Sequence, residues 1–165
     1  MKILAIETSC DETGIAILET PGALGTQRTN AEVTVLADLV VSQIEIHKEY
    51  GGVFPSLARR EHAKNILPLI IKALQDANLF TPLETPRVLS DEETATLTKI
   101  LDKEPALLAD LLVAFTKFAI PDIDAIAVTS GPGLEPALWV GINTAQGLSA
   151  LLNVPVIPVN HMEGH

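Results

Sequence analysis

The order of its apolar runs is what most constrains this chain. Three strand-like runs come first. Lys2-Ile3-Leu4-Ala5-Ile6 is short and apolar, and Ile15-Ala16-Ile17-Leu18 answers it across the polar stretch Glu7 to Gly14. From Glu32 to Ile46, apolar and β-branched residues dominate again, after a loop marked by Pro21, Gly22 and Gly25. Consecutive strands joined by short loops predict an antiparallel meander. Leu57, Ile66, Leu67, Ile70, Ile71 and Leu74 then repeat with helical period, predicting a helix from Pro55 to about Ala77. A strand over Ile123–Thr129, a helix from about Leu134 to Leu152 and a strand over Val154–Val159 complete the order. A meander followed by alternating helix and strand predicts an α/β fold: a mixed five-stranded sheet with helices on both faces.

Residues 78–120 have a different texture. Thr81-Pro82 and Thr85-Pro86 punctuate them, and Ser90 followed by Glu93 fits a capping box opening a helical segment to about residue 118. The segment reads as a helical insertion at the surface; a core helix pair is the competing reading.

Composition narrows the function classes. The 165 residues suffice for one domain with a sizeable core, and 47% apolar content excludes a disordered chain. No apolar run approaches the roughly 18 residues of a membrane span. The start turns acidic at Glu7, too soon for a signal peptide, so the cytoplasm is the default location. A single cysteine rules out an internal disulfide framework and a multi-cysteine metal site. The net charge of −10 repels phosphate backbones, so an RNA substrate would need a basic patch or a basic partner.

Four stretches offer chemistry. The first is Asn160-His161-Met162-Glu163-Gly164-His165. On a helix, His161 and His165 share one face and both rings can reach one cation. Met162 stands where a metalloprotease pattern needs Glu, so protease chemistry is not supported. Two ligands do not complete a zinc or iron site, and solvent-facing histidines are the alternative. The second is Ser130-Gly131-Pro132-Gly133-Leu134, between a strand and a helix. Gly131 and Gly133 there permit either close approach to an anion at a helix N-terminus or simply a tight turn. The third is Glu7-Thr8-Ser9-Cys10-Asp11-Glu12-Thr13. Asp11 and Glu12 can act as base, cation ligand or orienting group, and Ser9 can contact phosphate; a polar hairpin loop is the plain alternative. The fourth places Arg59, Arg60 and His62 at a helix start, suited to an anion or to a solvated face.

In this order the four stretches resemble the motifs of the tRNA threonylcarbamoyladenosine synthesis transferase family. Met1 to Thr13 resembles its opening; Gly51-Gly52-Val53 with Pro55, Ala58, Arg60 and His62 its second motif; Gly131 to Leu134 with Leu138, Val140 and Gly141 its third; Asn160 to His165 its metal motif. The resemblance implies an actin-like ATPase, ribonuclease H-like subdomain over residues 1–165, the N-terminal portion of a two-subdomain enzyme. It implies transfer of threonylcarbamoyl from threonylcarbamoyl-AMP to N6 of adenosine 37 in tRNAs reading codons that begin with A. His161 and His165 would ligate one divalent metal ion, iron(II) favoured and zinc possible. Asp11 and Glu12 would be catalytic, in orienting or base roles, and Ser9, Gly131 and Gly133 would bind substrate. Implied partners are tRNA, an inert paralogue and a P-loop ATPase, with no membrane. The other functions weighed are the non-catalytic scaffold paralogue, which lacks the histidine pair, and a kinase-like member of the same superfold.

Overall fold

In a computed structural model, residues 1–22 and 32–165 are described. The three opening runs form β1 (Lys2–Glu7), β2 (Glu12–Glu19) and β3 (Thr34–Ser42), paired antiparallel. Gly25, expected in the loop between β2 and β3, lies outside the described residues. A short helix α1 (Ile44–His47) and one 3-10 turn lead to α2 (Pro55–Asp76). Then come α3 (Asp91–Ile100), α4 (Pro105–Ala114), β4 (Ala125–Gly131), α5 (Glu135–Leu152), β5 (Val156–Asn160) and the single turn α6 (His161–Gly164). The sheet order is β3-β2-β1-β4-β5, with β4 parallel to both β1 and β5. This is the ribonuclease H-like arrangement: a meander extended by two parallel strands.

One expectation is corrected. The expected mixed five-stranded α/β sheet is found, but among the described residues α2 and α5 pack against each other and against the same side of the sheet, not one on each face. Connection handedness explains it. The β3-to-β4 and β4-to-β5 crossovers both advance in the same direction across the sheet, so right-handed connections place both helices on one face. On that face Leu4, Ile6, Ile15, Ile17, Ile126 and Val128 join one core with Ile66, Ile70 and Leu74 of α2 and Val140 and Leu148 of α5.

The 78–120 segment holds two helices rather than one. Glu104-Pro105 divides them, since Pro105 is tolerated in a helix only within its first turn. The capping box at Ser90 forms as expected: Glu93 N–H donates to Ser90 Oγ at 3.1 Å, and Ser90 N–H donates to Glu93 Oε2 at 2.7 Å. Leu97, Leu101, Leu107, Leu111 and Phe115 are fully buried, so the pair contributes to the core. No described helix is long and apolar enough to cross a membrane.

Candidate functional site

The site is built on the turn between β1 and β2, which the other motifs grip from three sides. Thr8 is wholly buried under α5. Its hydroxyl donates to the Ala137 carbonyl at 2.9 Å and accepts from Gly141 N–H at 3.2 Å. Gly141 is required there, because a Cβ would stand 2.5 Å from Thr8 Oγ1. Gly133 has the same function just before α5 begins: a Cβ would meet the Ser9 carbonyl at 2.6 Å. Leu134 N–H donates to that carbonyl at 2.7 Å.

The second motif holds the far side of the turn. His62 is fully buried on α2. Its Nε2–H donates to the Cys10 carbonyl at 3.1 Å, and its Nδ1 accepts from the Thr13 hydroxyl at 2.8 Å. Burial pushes the His62 pKa below its ordinary value, against the pull of the Cys10 carbonyl, which suits a neutral ring. Gln43 N–H donates to the Asp11 carbonyl at 2.8 Å, and the buried His47 donates from Nε2 to Gln43 Oε1 at 3.0 Å. Sequence reasoning offered His62 as an anion contact; the structure makes it an internal staple.

At the mouth of the turn the two histidines meet. Asn160 caps α6, accepting from Met162 N–H at 2.9 Å, and so sets His161 and His165 one turn apart. Their Nε2 atoms are 3.1 Å apart, with the rings edge-to-face. Two nitrogens bound to one tetrahedral cation at about 2.0–2.1 Å would stand roughly 3.3–3.4 Å apart, so the pair has a chelating bite. Among the described residues no third His, Cys, Asp or Glu joins them. Behind the pair, His161 Nδ1 lies 3.1 Å from Ser9 Oγ and 3.4 Å from Glu7 Oε2. Glu7 also accepts from Ser9 N–H at 2.5 Å and from the Thr129 hydroxyl. Burial pushes the Glu7 carboxyl up, but the hydrogen bonds from Ser9, Thr129 and His161 outweigh it and hold the group below the usual carboxylate range.

The other expected site residues fall around this point. Ser9 is buried and turned toward His161. Gly131 ends β4 with φ +142°, a backbone shape that suits glycine, and Gly133 packs on Ser9. Leu134 N–H is already taken and prolines at 132 and 136 have none, so Gly133 and Glu135 carry the amides without a partner among the described residues. Asp11 lines a separate cavity of about 290 Å³ with His47, Gly51 and Gly52. Glu12 is the first residue of β2, exposed and opposite Ser42, not part of the turn. Neither acid bonds to the histidine pair among the described residues. Cys10 is exposed at its surface, and partial burial with the adjacent Asp11 pushes its thiol up, away from the thiolate a nucleophile needs. Glu7 and Thr129 are the residues sequence reasoning missed. A cavity of about 440 Å³ beside Arg59, Glu104, Glu135 and Trp139 does not include the histidines.

The sequence model of the family described as tRNA N6-adenosine threonylcarbamoyltransferase (TsaD) matches residues 34–82 and 103–165, more than half of the chain. The chain belongs to this family. The match takes in the second, third and histidine motifs of the tRNA N6-adenosine threonylcarbamoyltransferases. It leaves out residues 1–33 and 83–102, the latter containing α3. Among solved structures the chain is similar to YeaZ from Pseudomonas aeruginosa, with 19% identity, a TM-score of 0.47, and coverage of 96% of this chain and 42% of that one. An uncharacterized Pseudomonas aeruginosa protein with similarity to peptidase YeaZ gives 19% identity, a TM-score of 0.44, and coverage of 96% and 43%. RuvC of Thermus thermophilus gives 15% identity, a TM-score of 0.38, and coverage of 99% and 66%. The chain spans less than half the length of the two Pseudomonas proteins.

Proposed function

We propose that this chain supplies the metal-binding first subdomain of an enzyme that transfers threonylcarbamoyl from threonylcarbamoyl-AMP to N6 of adenosine 37 in tRNA. The observation that carries the reading is the 3.1 Å convergence of His161 and His165 Nε2 at the mouth of the turn. The two imidazoles fit an iron(II) or zinc ion as two of its ligands; the family resemblance assigns a further ligand to an aspartate of the second subdomain. Such a cation, when bound, supplies Lewis-acid polarisation or positioning of an acyl carbonyl. The chain's own residues do the rest. His161 and His165 present bare nitrogens, Glu7 and Ser9 orient His161, and the Gly133 and Glu135 amides can meet a polar or anionic group. Asp11 and Glu12, at the start of β2, are the acids available for orientation or proton transfer. A chain of net charge −10 does not hold tRNA alone, so basic surface comes from partners: the inert paralogue and the P-loop ATPase of a cytoplasmic complex.

The test is nucleoside mass spectrometry of tRNA after incubation with threonylcarbamoyl-AMP, this chain joined to its second subdomain, and those partners. Threonylcarbamoyladenosine that forms with the wild type and disappears with His161→Ala supports the reading. Equal product with and without the histidines, or product without this chain, would contradict it.

A further inference from the structure

We propose that Glu7 is a positioning residue that sets the tautomer and aim of His161. Glu7 is the last residue of β1 and faces Gly14 in the antiparallel register. A Cβ on Gly14 would lie 3.4 Å from Glu7 Cβ, so the glutamate stem lies flush against β2. Its carboxylate is a sink for donors: the Ser9 amide on Oε1 and the Thr129 hydroxyl on Oε2. Three elements therefore fix one carboxylate: β1, the following turn and β4.

The consequence is a rule about protons. An ionised carboxylate only accepts hydrogen bonds. His161 Nδ1 looks onto Glu7 Oε2 at 3.4 Å and onto Ser9 Oγ at 3.1 Å. The carboxylate can only accept and the Ser9 oxygen can accept as well, so Nδ1 satisfies both neighbours together only as a donor. Nδ1 then carries the hydrogen, and Nε2, the atom 3.1 Å from His165 Nε2, is left with its lone pair bare. A carboxylate behind an imidazole fixes ring orientation and raises ligand basicity, and losing such a partner costs about 10- to 100-fold in metal affinity. The metal consequence rests on the reading of the pair given under Proposed function; the tautomer does not.

The test compares wild type with Glu7→Gln and Ser9→Ala. The glutamine keeps the shape but offers an NH2, which asks Nδ1 to accept and sends the proton to Nε2. Long-range nitrogen-15 NMR on the metal-free chain at neutral-to-alkaline pH reads the His161 tautomer. Cobalt(II) titration, followed by its visible absorption, reads affinity. The wild type is expected in the Nδ1–H form, E7Q in the Nε2–H form with cobalt affinity about 10- to 100-fold lower. S9A keeps the Cβ that packs on Gly133 and is expected to retain Nδ1–H through Glu7. A wild type in the Nε2–H form, or E7Q unchanged in tautomer and within twofold in affinity, would overturn the proposal. Should E7Q fail to fold, S9A still decides: loss of Nδ1–H there assigns control to Ser9 and overturns the role of Glu7. A wild type that binds no cobalt removes the metal reading, and the tautomers alone then judge Glu7.

Discussion

Gly141→Ala probes the joint between α5 and the β1–β2 turn, on which the site depends. The added methyl would lie 2.5 Å from Thr8 Oγ1, and Thr8 is fully buried with its hydroxyl bonded twice to α5. Overpacking a tight core costs about 1–3 kcal/mol. Displacing the Thr8 hydroxyl gives up two hydrogen bonds of about 1 kcal/mol each. Alanine returns about 1 kcal/mol through its helix propensity. The net loss is about 3 kcal/mol, a large share of the stability of one domain. The assay is urea unfolding followed by circular dichroism, run as a cycle with Thr8→Ala. T8A removes the obstructing oxygen, so G141A/T8A is expected to be at least about 1 kcal/mol more stable than G141A alone, a coupling typical of touching residues. G141A within about 0.5 kcal/mol of wild type, or strictly additive losses, would refute the close-approach argument.

Other outcomes follow from the same structure. Leu111→Ala should cost about 2–5 kcal/mol, because Leu111 is fully buried on α4; a loss under about 1 kcal/mol in urea unfolding would make the helix pair a surface appendage. Arg59→Ala strands the buried Glu104 carboxylate, which Arg59 Nε reaches at 2.6 Å, and should cost about 1–3 kcal/mol, partly restored by adding Glu104→Gln. His62 has a lowered folded pKa, so the unfolded chain binds its proton first. Its stabilisation is complete above the ordinary histidine value and is lost as pH falls below it. The slope of stability between about pH 5 and 7 should therefore be steeper in wild type than in His62→Gln; equal slopes would count against a buried neutral ring.

Much of the fold was legible because its strands are apolar runs bounded by polar or Pro/Gly stretches. Where polarity enters a strand, the reading slipped. Glu12, Thr13 and Gly14 look like a turn by composition, yet they begin β2, where the Thr13 hydroxyl is satisfied by His62. The third apolar run extends past its strand, since Ile44–His47 curls into a helix turn that lets Gln43 reach Asp11. One-faced helix packing followed from strand order, which no local pattern reveals. The histidine pair was visible from its i, i+4 spacing. Glu7 and Thr129 were not, because what joins them is the parallel pairing of β1 with β4, 122 residues apart in sequence.

The most direct measurement is metal content by mass spectrometry of the chain purified under anaerobic conditions, beside His161→Ala/His165→Ala. Iron or zinc held by the wild type and lost from the double variant is the expected result. Metal retained by the double variant, or absent from both even in the assembled complex, would contradict the assignment of this turn as a metal centre.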